Sequence, residues 1–278
     1  MSLFRFCVLR SLVLICSLSW CKAAYAEECP PVEDAYPCYC EEEDEITVMY
    51  CNHLNESSQI KGALSSLNEY KIFKLSFYKF HFDSIKSDAF RGPAINQIIF
   101  TNSSLKMEQP QFLGLETSLT RLTFLSCFNQ ESPFISWSLS HLEKLRDLTF
   151  DRNSIPILKE TWLTSTPANL RSLTFSECSI AELGKNVFAK LSNLANIFLN
   201  DNGISSVSRS MFPNPAENLR TINLDDNNLE TLPDNMFEEM PSLKTVGLGN
   251  NKLKSLSESL WSPIIESLSN VHLEGPQH

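Results

Sequence analysis

A spaced pattern of apolar residues, LxxLxLxxNxL, recurs nine times between Ile72 and the end of the chain and limits the possible folds more than any other feature. The clearest copies begin at Leu145, Leu194, Leu219 and Leu243, weaker copies begin at Ile72, Ile95, Leu119 and Leu170, and a truncated copy begins at Leu268. The even spacing of these starting positions is typical of repeats that each form one supersecondary unit. The recurrence predicts a solenoid in which each repeat stacks only on its neighbours.

The apolar periodicity within each copy predicts its local structure. Alternating leucines predict a short strand, and the segments between strands carry a second apolar set at near-helical spacing, such as Leu183, Val187, Phe188 and Leu191. We therefore predict an α/β fold, a horseshoe-shaped solenoid with a parallel sheet on its concave side and short helical turns on its convex side. One repeat cannot fold alone, because ordering it costs ~1–2 kcal/mol per residue while each buried apolar side chain returns only ~2 kcal/mol.

The N-terminal segment 1–26 has the features of a secretory signal peptide. Arg5 and Arg10 precede an apolar run that is too short to cross a bilayer, and Ala24 and Ala26 supply the small residues of a cleavage site. We predict cleavage after Ala26, with a retained membrane anchor as the alternative. No later stretch approaches the roughly 20 apolar residues of a transmembrane helix, so we predict a secreted, extracellular protein without membrane insertion.

Four of the six cysteines that follow the predicted signal peptide, Cys29, Cys38, Cys40 and Cys51, lie close together. In a secreted chain such a cluster favours disulfide bonds over a zinc site, and the spacing alone allows three pairings. A cross-linked segment could cover the apolar edge at the end of a solenoid. We interpret the chain as a signal peptide (1–26), a cysteine-rich N-terminal cap with a first linker (27–70) and about nine repeats (71–278). The acidic run 41–45 is interpreted as a solvated loop, because it lacks the ligand spacing of a calcium-binding loop.

The other two cysteines, Cys127 and Cys178, stand where other repeats have an asparagine, for example Asn153 and Asn202. This position points inward, so we predict two buried structural thiols. With one repeat between them they lie ~10 Å apart at the usual strand spacing, beyond the ~7 Å limit for a disulfide. A catalytic nucleophile is the alternative, and His141 is near Cys127 in sequence, but no third group or activated-cysteine motif accompanies them.

Period-2 alternation identifies the side chains that face outward from the predicted concave sheet. The middle outward positions are Ser76, Ile99, Thr123, Thr149, Thr174, Phe198, Asn223, Gly247 and His272. Flanking positions carry Lys74, Lys79 and Arg121 near the N-terminal end and mostly acidic residues further on. The candidate protein-binding residues are Asp147, Asp151, Glu177, Phe198, Asp201, Asn223, Asp225 and Asp226. They predict docking of a basic or polar protein partner, with chance clustering on a solvated surface as the alternative.

The charge balance and the motifs narrow the function further. After residue 26 the chain has 20 basic and 33 acidic side chains, a net charge of −13, which disfavours nucleic acid. The sequence contains no GxSxG, no HExxH and no phosphate-binding glycine loop. An open sheet in water also lacks the desolvation that raises the pKa of a catalytic acid. We therefore predict a protein that is not an enzyme and that needs no cofactor or metal.

Two N-glycosylation sequons are present, at Asn55-Glu56-Ser57 and Asn102-Ser103-Ser104. Asn102 follows the second repeat strand on the predicted concave side. A glycan there would obstruct the N-terminal third of the face and leave the acidic part as the more accessible surface.

The cap residues Cys29-Pro30, Pro37-Cys38-Tyr39-Cys40 and Cys51, followed by repeats whose strands end in Phe or Leu, carry a family resemblance. Cap and repeats together resemble the secreted leucine-rich repeat proteins of arthropods, the group that includes the non-catalytic subunit of the decapod shrimp luciferase. The resemblance covers nearly all of the chain after the signal peptide. It implies disulfides Cys29–Cys40 and Cys38–Cys51 and a binding or stabilising role without catalysis.

Two functional hypotheses follow from these observations. The first is a secreted module that binds a protein partner on its concave face. The alternative is a structural component of the extracellular matrix that self-associates. Many relatives have a second cysteine-rich cap where this sequence reads Gly275-Pro276-Gln277-His278, so the C-terminal edge of the solenoid is expected to be uncovered. An incomplete or naturally truncated sequence is the favoured explanation, and self-association at this edge is the alternative.

Overall fold

The computed structural model describes residues 29–52, 54–129, 138–163 and 165–274, so the predicted signal peptide lies outside the described residues. The strands are β1 (Tyr39–Glu43), β2 (Ile46–Tyr50), β3 (Lys71–Tyr78), β4 (His81–Ile85), β5 (Ala94–Thr101), β6 (Ser104–Met107), β7 (Arg121–Leu125), β8 (Asp147–Asp151), β9 (Ile157–Leu158), β10 (Ser172–Ser176), β11 (Glu182–Leu183), β12 (Asn196–Phe198), β13 (Thr221–Asn223), β14 (Thr245–Gly247) and β15 (Asn270–His272). The helices are α1 (Val32–Ala35), α2 (Ser58–Ser65) and α3 (Glu258–Trp261), with 3₁₀ turns at Glu160–Leu163 and Arg209–Met211.

Eleven strands form one continuous sheet in the order β1-β2-β3-β5-β7-β8-β10-β12-β13-β14-β15. The pair β1 and β2 is antiparallel, and every later pair in this sheet is parallel. Each copy of the sequence pattern contributes one strand, from β3 in the first repeat to β15 in the ninth. The predicted parallel solenoid is therefore confirmed.

Phenylalanine side chains form the centre of the core in the first five repeats. Phe77, Phe100, Phe124, Phe150 and Phe175 occupy the last inward position of successive strands and are fully or almost fully buried. Their rings stack with centroid distances of 4.9, 5.7, 5.3 and 4.7 Å along the series. From the sixth repeat the same position is leucine, beginning with Leu199. The core therefore changes from aromatic to aliphatic part-way along the solenoid.

The convex side consists mainly of hydrogen-bonded turns rather than long helices. Typical bonds run from Val187 N to Gly184 O (3.2 Å) and from Met236 N to Pro233 O (2.9 Å), which is the i to i+3 pattern of single helical turns. Two small parallel sheets, β4 with β6 and β9 with β11, add pairing that the sequence pattern did not predict. Within the described ranges, no helix is long and apolar enough to cross a membrane.

The N-terminal cap is a disulfide-bonded β-hairpin. Its two disulfides join Cys29 to Cys40 and Cys38 to Cys51, which is the pairing that the resemblance implies. The acidic run is not a loop, as the sequence suggested, because residues 41–43 belong to β1 and only Asp44 and Glu45 form the turn, with φ of 47° and 67°. Three glutamates on this outermost strand leave a charged edge that discourages pairing with another chain.

Candidate protein-binding surface

The outward side chains of the sheet form continuous rows across the repeats. The strand register aligns one position from every repeat, in the order Ser76, Ile99, Thr123, Thr149, Thr174, Phe198, Asn223, Gly247 and His272. This is the series predicted from alternation, and we call it the central row. Tyr50 of β2 and Tyr39 of β1 continue the row into the cap. The cap therefore extends the concave face and does not only cover its end.

A second row forms where the chain turns out of each strand. Its members all have positive φ, between 49° and 57°, and we call them the exit row: Lys79, Asn102, Ser126, Arg152, Glu177, Asp201, Asp226 and Asn250. Each of their backbone N–H groups donates to a carbonyl of the next repeat, as from Asp201 to Asp225 O (3.1 Å) and from Asp226 to Gly249 O (2.9 Å). Backbone hydrogen bonds therefore fix the spacing of the side chains along this edge.

Beneath the exit row, inward asparagines hold neighbouring repeats together. Asn153 Oδ1 accepts from Cys127 N and Phe128 N (2.8 and 2.9 Å), and its Nδ2 donates to Phe124 O and Asp151 O (3.0 and 2.9 Å). Asn202 makes the same kind of bridge between its own repeat and the one before. One side chain thus satisfies several backbone groups that the turn leaves unpaired.

Cys127 and Cys178 occupy this inward position in the third and fifth repeats. Both are buried and not in disulfides. Cys127 Sγ donates to Phe100 O (3.3 Å) and Cys178 Sγ donates to Phe150 O (3.4 Å). Burial raises the pKa of each thiol to about 12. A thiolate, which nucleophilic catalysis and metal binding both require, is therefore disfavoured at both cysteines.

Two of the three basic residues near the N-terminal end are paired with carboxylates. Lys74 Nζ lies 3.3 Å from Glu43 Oε2, and Arg121 contacts Asp147 Oδ2 at 3.2 Å. The predicted gradient from basic to acidic is therefore weaker than the sequence suggested, because carboxylates of the cap and of the next repeat compensate Lys74 and Arg121. Arg152, in the exit row, lies 3.4 Å from Asp151 Oδ2 and 3.9 Å from Glu177 Oε1.

The exit row is least compensated in repeats five to seven, where it carries Glu177, Asp201 and Asp226. We call these three residues the acidic patch. Asp201 Oδ2 accepts from Asn200 Nδ2 (2.7 Å) and Asp226 Oδ1 accepts from Asn250 Nδ2 (2.8 Å). In the part of the chain that the structure describes, neither aspartate has a cationic partner. Neutral amides orient these carboxylates without cancelling their charge.

Asp225 has a different role, because its carboxylate lies over the next strand. Its Oδ1 accepts the Gly249 N–H (2.7 Å), and its Oδ2 lies 3.5 Å from His272 Nδ1. A Cβ atom on Gly247 would come within 2.8 Å of both carboxylate oxygens. Glycine is therefore required at position 247 for the Asp225 carboxylate to lie against β14. Asp225 thus contributes to the structure of the face as well as to its charge.

Tyrosines dominate the N-terminal end of the concave face. Tyr39 and Tyr50 stack with ring centroids 5.2 Å apart, and the Tyr50 hydroxyl donates to Glu43. This hydrogen bond is the main cause that raises the pKa of Tyr50 to about 12. Tyr78 is 42% exposed, and Lys79 Nζ lies 5.1 Å from the centre of its ring.

All eight candidate binding residues lie in repeats four to seven, but the structure separates them into groups. Asp147 and Asp151 are engaged by arginines, Phe198 and Asn223 are central-row neighbours, and the acidic patch runs beside them. Sequence reasoning missed Tyr39 and Tyr50, although the alternation of β2 already placed Tyr50 on the outward side.

Both sequon asparagines have exposed side chains, Asn55 just before α2 and Asn102 in the exit row. No cluster of metal-ligating residues occurs within the described ranges.

Comparison with known proteins identifies the type of repeat. The family model described as "BspA type Leucine rich repeat region" matches in six copies over residues 120–244 and 157–275, which together span more than half of the chain. Among curated proteins, none matches. A solved structure, "Crystal structure of TLR13-ssRNA13 complex", is similar with a TM-score of 0.58 and 19% sequence identity. The match covers 81% of this chain but 35% of that one, so it supports the fold alone.

Proposed function

Because the chain belongs to the BspA-type leucine-rich repeat family, we propose that it is a non-catalytic module that binds a protein partner on its concave face. Solenoids of this kind commonly work by presenting a long curved surface. Here that surface is the parallel sheet from β3 to β15.

The acidic patch is the observation that carries this proposal. Glu177, Asp201 and Asp226 repeat the same exit-row position in three successive repeats, and amides rather than cations orient two of them. Glu177 lies near Arg152, but the carboxylates of Asp201 and Asp226 have no cationic partner among the described residues, and such carboxylates on a rigid face attract a basic partner and speed its encounter. Phe198, half-buried in the central row beside the patch, would supply an apolar anchor at the centre of the interface.

The charge of the face argues against a role like that of the structurally similar TLR13, whose complex contains single-stranded RNA. Phosphate groups need cations along the protein surface, whereas Lys74, Arg121 and Arg152 of this face lie beside carboxylates. We expect no measurable binding of a single-stranded RNA at physiological salt.

We also propose that the protein acts outside the cell. The two disulfides are compatible with an oxidising compartment, and segment 1–26 has the features of a signal peptide. Secretion with a mature N-terminus at Glu27 is the expected outcome of expression in a eukaryotic host. The relationship to the arthropod proteins, including the luciferase subunit, remains part of this proposal.

The decisive experiment compares two charge-reversal variants of the tagged, secreted protein. Asp201→Lys with Asp226→Lys reverses the acidic patch, while Glu217→Lys with Glu266→Lys makes the same charge change at exposed positions outside the sheet. Proteins that co-purify with the wild type should be lost only from the first variant, as mass spectrometry would show. If both variants retain them, the concave docking site is wrong and a self-associating matrix component, visible by light scattering, becomes the better interpretation.

A further inference from the structure

We propose that Asn102 carries an N-linked glycan whose first sugars pack on Tyr78 and Leu125, and that this glycan closes the N-terminal part of the concave face. The inference rests on the proposed function in one respect, since only a chain that enters the secretory pathway receives such a glycan. Its consequence is that the acidic patch becomes the accessible part of the surface.

The acceptor asparagine occupies an exposed position on the concave side of the sheet. Asn102 is the first residue of the sequon Asn102-Ser103-Ser104 and stands in the exit row with φ of 49° and an exposed side chain. Its backbone N–H donates to Leu125 O at 2.8 Å, which fixes the main chain. Among the residues that the structure describes, its side-chain amide makes no hydrogen bond. A glycan could therefore be attached without breaking any contact of the fold.

An apolar surface lies beside the acceptor asparagine. Thr101, the residue before Asn102, pairs in the sheet with Tyr78 on one side and Leu125 on the other. The two side chains are thus ~10 Å apart at the usual strand spacing. The Tyr78 ring is substantially exposed. The C–H face of a sugar ring can pack on a tyrosine ring and remove apolar area of both from water.

The second sequon provides an internal comparison within the same chain. Asn55 lies in an exposed turn before α2, outside the sheet. Its backbone N–H donates to the side chain of Gln59 at 2.6 Å, so the contact involves the main chain and not the acceptor amide. A glycan at Asn55 is therefore expected to extend into solvent, whereas the one at Asn102 lies against the sheet.

The test uses the full chain secreted from a glycosylating eukaryotic host. Glycopeptide mass spectrometry measures occupancy at Asn55 and Asn102, and a peptide-N-glycosidase is then added to the folded protein. Release from Asn102 should be about tenfold slower than release from Asn55, because packing on two apolar side chains holds the glycan against the protein. Tyr78→Ser should remove most of this difference. Tyr36→Ser, which changes a 75% exposed tyrosine in the cap, should leave it unchanged.

Each outcome decides between the two proposals. Occupancy at Asn55 with an unmodified Asn102, or a secreted chain without any glycan, overturns this inference and leaves the proposed function intact. Equal release rates from the two sites, or protection that survives Tyr78→Ser, shows that the glycan does not pack as proposed. A chain that stays in the cytosol contradicts both proposals, because it could receive no N-linked glycan and meet no extracellular partner.

Discussion

Every residue of the exit row has a backbone conformation that favours glycine, yet none of the eight is glycine. A left-handed conformation costs a residue with a Cβ roughly 1–2 kcal/mol, less for asparagine and aspartate. The positive φ of these eight residues therefore lowers the stability of the fold. In repeats five to seven they are the carboxylates of the acidic patch, which agrees with a role in binding.

Ser126 allows this cost to be measured. Its side chain is exposed and its φ is 54°, so Ser126→Gly should increase the free energy of unfolding by about 0.5–1 kcal/mol, while Ser126→Val should decrease it by more than that. As a control, Ser172→Gly in the middle of the sheet should be destabilising by about 0.5–1 kcal/mol. Urea denaturation followed by circular dichroism would show whether the two glycine substitutions differ in sign, as this explanation requires.

The inward asparagines should be far more important for stability than the outward asparagines of the exit row. Asn153→Ala leaves backbone groups of four residues without their partner and should cost about 3 kcal/mol. Asn153→Cys should cost less, because a thiol still donates to carbonyls, as Cys127 and Cys178 do. Asn250→Ala removes an exposed amide at a φ of 53° that asparagine tolerates better than alanine, so this control should cost about 1 kcal/mol. Equal losses from the three variants would contradict this assignment.

The two buried thiols make a prediction about pH. Burial raises each pKa to about 12, above the ordinary value of about 8.5 for the unfolded chain. Their contribution to stability is therefore complete below about pH 8.5 and is lost as the pH rises toward 12. A thiol reagent at pH 8 should label neither cysteine in the folded protein and both after denaturation. Rapid labelling of the native chain would show that these sites open easily.

At the scale of the strands, the phenylalanine stack should tolerate leucine but not alanine. Phe124 contacts Phe100 on one side and Phe150 on the other, at 5.7 and 5.3 Å between ring centroids. Phe124→Ala should cost about 3–5 kcal/mol, whereas Phe124→Leu, the residue used in later repeats, should cost about 1–2 kcal/mol. Thermal denaturation would compare the two variants. A loss of more than about 4 kcal/mol on Phe124→Leu would mean that ring stacking, and not volume, dominates this core.

The strands and their register were predictable because both depend on a strict two-residue alternation. Phe198 and Asn223, for example, had to be neighbours once the leucines around them were placed inward. The ion pairs were less predictable, because the register places Arg121 beside Asp147 but alternation does not specify the side-chain rotamers that bring the guanidinium to the carboxylate. The small sheets β4 with β6 and β9 with β11 were also missed, since such short strands carry too little periodicity to be recognised.

For the whole molecule, the cap should determine where unfolding begins. Cys38 and Cys51 are buried, whereas Cys29 and Cys40 are partly exposed, so a mild reductant should open Cys29–Cys40 first. Replacing Cys38 and Cys51 together by alanine should cost about 2–5 kcal/mol. Hydrogen exchange should then increase most in β2 and β3 and least in β13 and β14, because each repeat is stabilised by its neighbours. Uniform exchange along the chain would instead indicate a single cooperative unit.

The contacts of Asp225 and Asp226 have a consequence for how such a surface can arise. Gly247 and Gly249 make room for Asp225, and Asn250 orients Asp226, so these three supporting residues belong to the repeat after the one that carries the charge. Duplicating a single repeat within the gene would copy the two carboxylates without the glycines and the asparagine that position them. The smallest heritable unit of this surface is therefore two consecutive repeats, and recombination that separates them would yield a chain that folds but has lost the arrangement of its charges.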